Sequence, residues 1–125
     1  MRRSRGAALI ETALASLLAL SLLGGTLFLG RVALTLRRLH ALARHGAALS
    51  AAGVPRDVIN AELGDFAARL GVAARWSLGR YAGSAAAVFY RLQEARASAD
   101  LPRPPLLGGG TLVLEQSSVL EQEAP

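Results

Sequence analysis

An uncharged apolar run near the N-terminus constrains this chain more than any other feature. From Thr12 to Gly30 no residue carries a charge, and Leu and Ala dominate. As a helix, residues 7–30 measure about 36 Å at roughly 1.5 Å per residue. A bilayer core is about 30 Å thick and takes roughly 20 apolar residues to cross. The run is therefore long enough to span a membrane with some tilt. It holds no Pro, which suits a helix, while Gly24 and Gly25 mark a place where the helix can bend. The competing reading is a cleaved secretory signal, whose apolar region is about 7–15 residues long. This run is longer. The triplet Ala41-Leu42-Ala43 fits a small-x-small cleavage site by letters, but lies beyond Arg31, Arg37 and Arg38.

The flanks add detail. Arg2, Arg3 and Arg5 precede the run, and Arg31, Arg37, Arg38 and Arg44 follow it. Counting Lys and Arg near both ends leaves orientation nearly balanced. The tight packing of the first three Arg favours a cytoplasmic N-terminus and an extracytoplasmic C-terminus. Glu11 is the residue that needs a reason. A carboxylate at the centre of a spanning helix costs about 2.5–3.5 kcal/mol, and less near the membrane edge. On one reading Glu11 reaches the headgroups. On a sharper one the chain is cut after Gly6, so that Ala7 becomes a cationic N-terminus. Residues four apart share a helix face, so the amine can pair with Glu11, or with the same carboxylate of a neighbouring subunit. A helix N-terminus also favours an anion.

The stretch Arg5-Gly6-Ala7-Ala8-Leu9-Ile10-Glu11 resembles the processing site of type IV-like prepilins, in which Gly precedes the cut and Glu is the fifth mature residue. With Ala after the Gly and Ala13-Leu14 following, it is most similar to the TadE-like pseudopilins of tight-adherence pilus systems. Gly30-Arg31 after the apolar run also resembles that family. Two positions depart from its pattern: Thr12 stands where an aromatic residue is often found, and the run lacks a Pro. The resemblance covers about the first 31 residues. It implies cleavage at Gly6–Ala7 by a membrane prepilin peptidase, an assembly role for Glu11, and a long helix packed among other pilin subunits in the inner membrane. It also implies a C-terminal head outside that membrane. The expected fold is α+β and pilin-like: a long N-terminal transmembrane helix, a short helix and a small antiparallel sheet. The divisions are a leader over 1–6, a transmembrane part over 7–30, an extramembrane continuation over 31–53, and a head over 54–125. The alternative is a single-pass membrane anchor with a partner-binding domain, in which the Gly-to-Glu spacing is accidental.

Charge follows the same division. Residues 1–56 carry eight Arg and one acid, for +7, and residues 57–125 six Arg and eight acids, for −2, which together give the net +5. Cutting after Gly6 removes three Arg and leaves +2. The basic balance thus belongs to the leader and the juxtamembrane region and does not point to nucleic acid. At 125 residues there is room for one small domain beyond the membrane helix. The absence of Cys excludes a disulfide framework and a thiolate metal site.

Beyond the run, Val32, Leu36, Leu39, Ala43 and Ala47 recur at helical spacing and make one apolar face. With Arg37 and Arg44 on another side, the first helix is expected to continue to Gly53. Gly53-Val54-Pro55 stops one helix and starts the next. Asp57 and Glu62 lie early in this second helix, and Val58, Ile59, Leu63, Phe66 and Leu70 are its expected buried stripe, covering one face of the sheet. Residues 72–78 alternate as a half-buried strand, and residues 86–93 read as its hairpin partner after a turn at Ala82-Gly83-Ser84. A helix competes for residues 85–96. Leu101-Pro102-Arg103-Pro104-Pro105 reads as an extended linker and Gly108-Gly109-Gly110 as a turn. Residues 111–115 are the last expected strand, before a polar, frayed tail.

Catalytic chemistry finds little support. His40 and His45 are five apart, which does not place them on one helix face as a metal pair, and both read as solvated juxtamembrane residues. Asp57, Glu62 and Asp65 read as an exposed acidic face. Trp76, Tyr81, Phe89 and Tyr90 are too few for a single-strand nucleic-acid platform and suit a small core. The expectation is a non-enzymatic assembly protein without metal or cofactor.

Overall fold

The computed structural model describes residues 5–83 and 90–122. Its architecture is α+β, as the sequence implies: a long helix, a short helix and a three-stranded antiparallel sheet. Helix α1 runs from Arg5 to Ala51 without a break, through Gly24 and Gly25. Its 47 residues make a rod of about 70 Å. Helix α2 spans Arg56–Leu70. The strands are β1, Ala74–Arg80, β2, Leu92–Pro102, and β3, Thr111–Glu121.

Both helices end the same way. Gly53, at φ 74°, donates its N–H to Ser50 O at 3.2 Å, and Val54 donates to Leu49 O at 3.1 Å. Gly71, at φ 64°, donates to Ala68 O at 3.0 Å, and Val72 to Ala67 O at 3.1 Å. This paired closure satisfies carbonyls that a helix end otherwise leaves open, and it needs a left-handed residue that Gly supplies without strain. Pro55 then opens α2, its carbonyl accepting from Ile59 N–H at 3.0 Å. Helix α2 folds back along α1, and Arg38 of α1 donates to Gly71 O at 3.4 Å.

The sheet is a meander ordered β1-β2-β3, with Trp76 opposite Ala97, and Ala99 opposite Leu114. Its inner face lies on α1, contrary to the expectation that α2 covers it; α2 flanks α1 instead. The reason is side-chain size. Ala95, Ala97 and Ala99 point inward at alternate positions of β2 and are buried, as are Ala43, Gly46 and Ala47 on α1. Two rows of small residues let the helix backbone come close to the middle strand. A Cβ added at Gly46 would lie 3.1 Å from Leu63 Cδ1 and 3.3 Å from Ala95 Cβ. Around this approach Leu39, Leu42, Ile59, Leu63 and Leu114 complete the core, with Val32, Leu36 and Trp76 packed at its margin.

Several expectations are corrected. Val58 is 49% exposed, and Ala67 takes its place in the α2 stripe beside Ile59 and Leu63. Of the strand expected over 86–93, residues 86–89 lie outside the described residues, as does Ser84 of the turn; the described strand begins at Leu92 and runs to Pro102, absorbing the start of the expected linker. The described part of 85–96 is strand from Leu92, not helix. Strand β3 continues to Glu121, through the stretch expected to fray, because it pairs with β2 along its whole length. Residues 103–110 form a hairpin loop rather than a linker and turn: a 3-10 turn over Pro105–Leu107 and three glycines of positive φ, closed by Arg103 N–H on Gly110 O at 2.9 Å.

Candidate functional site

Among the described residues, the N-terminal half of α1 stays exposed from Gly6 to Leu23, and partial burial begins at Gly24. It is long and apolar enough to cross a membrane by length and composition, and none of its most apolar window is buried. Leu9, Ile10, Leu14, Leu17, Leu18, Leu20, Leu22, Leu23, Leu27 and Leu29 are each more than half exposed. An apolar surface of this extent, wrapped around a helix, needs lipid or protein to cover it.

Three hydroxyl side chains on this surface are handled within the helix. Thr12 donates its hydroxyl to Ala8 O at 2.9 Å, Ser21 to Leu17 O at 2.8 Å and Thr26 to Leu22 O at 2.8 Å. Each bond returns to the carbonyl one turn back, so these hydroxyls do not require water. Glu11 differs. It is the only ionisable residue from Gly6 to Gly30, and it is exposed. Ala7 lies four residues earlier in the same unbroken helix, so the two share a face. Gly6 is also helical, within the first turn, and an added Cβ there meets nothing within 4 Å. First-turn N–H groups have no intrahelical partner, so this end of the helix is the part most readily unwound. Arg2 and Arg3 lie outside the described residues.

The far half of α1 is bound into the head. Ser50 donates its hydroxyl to Gln93 Oε1 at 3.3 Å, and Gln93 Nε2 donates to Gln122 Oε1 at 3.2 Å. Helix and sheet are thereby tied at the end away from the apolar run. A displacement of the N-terminal half along its axis carries the head with it, since one helix belongs to both.

The outer face of the sheet is polar and internally paired. Arg75 donates to both carboxylate oxygens of Asp100, at 3.0 and 2.9 Å. Arg96 donates to both oxygens of Glu94, at 2.9 and 3.3 Å, and approaches Glu115 at 3.8 Å. The hydrogen bond to Glu94, then its charge, holds the Arg96 guanidinium above its already high ordinary range. Between these groups lies an open depression of about 320 Å³.

His40 is exposed, as expected, but His45 is half-buried. Its ring packs against Phe66 at 4.9 Å between centroids, and its Nε2 is enclosed, 3.7 Å from Glu62 Oε1 and without a hydrogen bond. The two histidines are not brought together. Asp57, Glu62 and Asp65 are exposed on α2. Among the described residues, no group of three or more metal-ligating side chains gathers. Sequence reasoning missed the place of His45; its spacing of four from Ala41 and Leu49, both partly buried, was the available signal. Comparison of the chain with protein-family models, with curated proteins and with solved structures finds no match.

Proposed function

We propose that this chain is a TadE-like pseudopilin, a membrane subunit cleaved after Gly6 by a prepilin peptidase and built into a tight-adherence or type IV-like pilus, or into a secretion pseudopilus. One observation carries the reading. Helix α1 exposes an uninterrupted apolar surface on which the sole ionisable group, Glu11, sits one turn from Ala7. Before assembly, lipid of the inner membrane covers that surface. After cleavage the Ala7 amine is a cation at the end of the same helix. Pairing it with Glu11, of the same or an adjacent subunit, offsets the cost of holding either charge in an apolar setting. Neighbouring pilin helices then replace lipid against the leucines. The head rides on the continuing helix and presents its paired polar face outward. The work is assembly, and no residue is assigned a catalytic role.

Gly6 and Glu11 variants separate the steps. Replacing Gly6 with a bulky residue blocks processing while leaving membrane insertion intact. Glu11→Ala permits cleavage and impairs incorporation into the assembled structure. Normal incorporation of Glu11→Ala removes the role given to the carboxylate.

The second reading is an uncleaved single-pass anchor whose head binds a partner in the envelope. It is favoured by the helical conformation of Gly6, since a peptidase has to unwind that turn before it can cut. Retention of residues 1–6 in the membrane-resident protein selects it.

A further inference from the structure

The β2–β3 hairpin is directed back toward the apolar half of α1. At its base Gln93 meets Ser50, near the C-terminal end of the helix. At its tip, Pro104, Leu106 and Leu107 share a narrow pocket with Ser21, Gly24 and Gly25. Between tip and base, Pro102 and Pro104 line an open crevice of about 490 Å³ with Leu27, Phe28, Arg31 and Leu34 of α1. From Ala7 to Leu27, only Gly24 and Gly25 are partly buried, which marks the level the tip reaches.

That level lies inside the apolar run. Counting about 20 residues from Ala7 for a bilayer core puts its far boundary near Thr26. Gly24 and Gly25 lie just within that boundary, and Ser21 roughly 8 Å within it at about 1.5 Å per residue. The tip is built for such a place. Leu106 is 74% exposed and Leu107 44% exposed, although both are large and apolar. From Leu101 to Leu112 the loop carries one charge, Arg103, next to the strand end, and no acid. Gly108, Gly109 and Gly110 make the return with little bulk, each at positive φ. Arg103 and Arg31 stand nearer the head, where long basic side chains reach headgroup phosphates.

We propose that the β2–β3 hairpin tip is a second membrane-contacting element, which seats Leu106 and Leu107 in the lipid leaflet on the head's side. The proposal rests on Ala7–Gly30 being the membrane span. Its occupant is lipid, because the leucines stand at the depth of the helix's own lipid-facing leucines and continue the same apolar surface. Insertion gives the subunit two membrane contacts instead of one and fixes its rotation about the α1 axis relative to the bilayer. Extraction of the subunit from the membrane then requires the tip to leave the lipid together with the helix.

The absence of Cys makes a direct test clean, because single cysteines can be placed at will. Spin labels are attached to L106C, L107C, L18C and S117C variants of the full chain, each reconstituted into phospholipid vesicles at a high lipid-to-protein ratio. Collision with dissolved oxygen, which concentrates in lipid, is compared with collision with a water-soluble nickel chelate. The proposal expects L106C and L107C to favour oxygen severalfold, as L18C does, and S117C on the outer sheet face to favour the chelate. A chelate-accessible tip beside a lipid-exposed L18C overturns the tip insertion and leaves the span intact. A tip shielded from both probes means that protein covers it, and overturns the proposal too. A chelate-accessible L18C overturns the span, and the tip reading falls with it.

Discussion

Gly46 offers the sharpest check on how α1 meets the sheet. In a helix interior, Gly→Ala ordinarily stabilises by about 0.8–1 kcal/mol, because Ala loses less backbone freedom. At Gly46 the added methyl would stand 3.1 Å from Leu63 Cδ1, 3.3 Å from Ala95 Cβ and 3.4 Å from Leu78 Cδ2. These neighbours come from α2, β2 and β1, so relief on one side pushes against another. Overpacking of a filled core costs about 1–3 kcal/mol. Gly46→Ala is therefore expected to range from neutral to about 2 kcal/mol destabilising. Gly64 in α2 supplies the reference, since a Cβ there meets nothing within 4 Å, and Gly64→Ala is expected to gain the ordinary increment. Subtracting one from the other cancels propensity and leaves crowding, about 1–3 kcal/mol. For a domain of this size a difference of 1 kcal/mol moves Tm by about 4–8 °C. Thermal unfolding of the full chain in detergent, followed by the fluorescence of the single Trp76, reads that separation. Equal stabilisation by the two substitutions would refute the close approach of α1 to β2.

Two further expectations concern the head. Leu39 of α1 is fully buried in the head's core, and Leu39→Ala is expected to cost about 2–5 kcal/mol in denaturant unfolding; a loss under about 1 kcal/mol contradicts its place there. The Arg75–Asp100 pair is exposed on both sides, so a double-mutant cycle is expected to give only about 0.2–1 kcal/mol, falling as salt rises. A coupling that ignores salt would mean that another subunit or a ligand buries the pair.

The long helix, its stop at Gly53 and the restart after Pro55 were legible because each depends on local chemistry: an apolar run, a left-handed residue and a fixed φ. The shared helix face of Ala7 and Glu11 was legible for the same reason, since it is set by spacing along one helix. Strand β2 was not. Its inward residues are Ala95, Ala97 and Ala99, and its outward ones Glu94, Arg96, Ser98 and Asp100. This alternation is regular, but Ala is a weak strand former and the segment lacks the β-branched residues that announce strands. Its stability comes from pairing on both edges and from the close approach of α1, which are non-local. Strand β3 looked short because Ser117 and Ser118 interrupt its apolar pattern, yet β2 pairs with it beyond them. The choice of α1 rather than α2 as the cover of the sheet depended on Gly46 meeting Ala95, two positions that no periodicity connects. His45 was misplaced because Arg44 beside it suggests solvent, whereas the ring turns to Phe66.

The most direct test of the assembly account is the N-terminal residue of the protein recovered from membranes, read by intact mass and terminal peptide sequencing. The account predicts a start at Ala7, with residues 1–6 removed and the new amine one turn from Glu11. A start at Met1 would contradict it in favour of the uncleaved anchor. A start beyond Gly30 would contradict both, since the apolar half of α1 would then be absent from the mature protein.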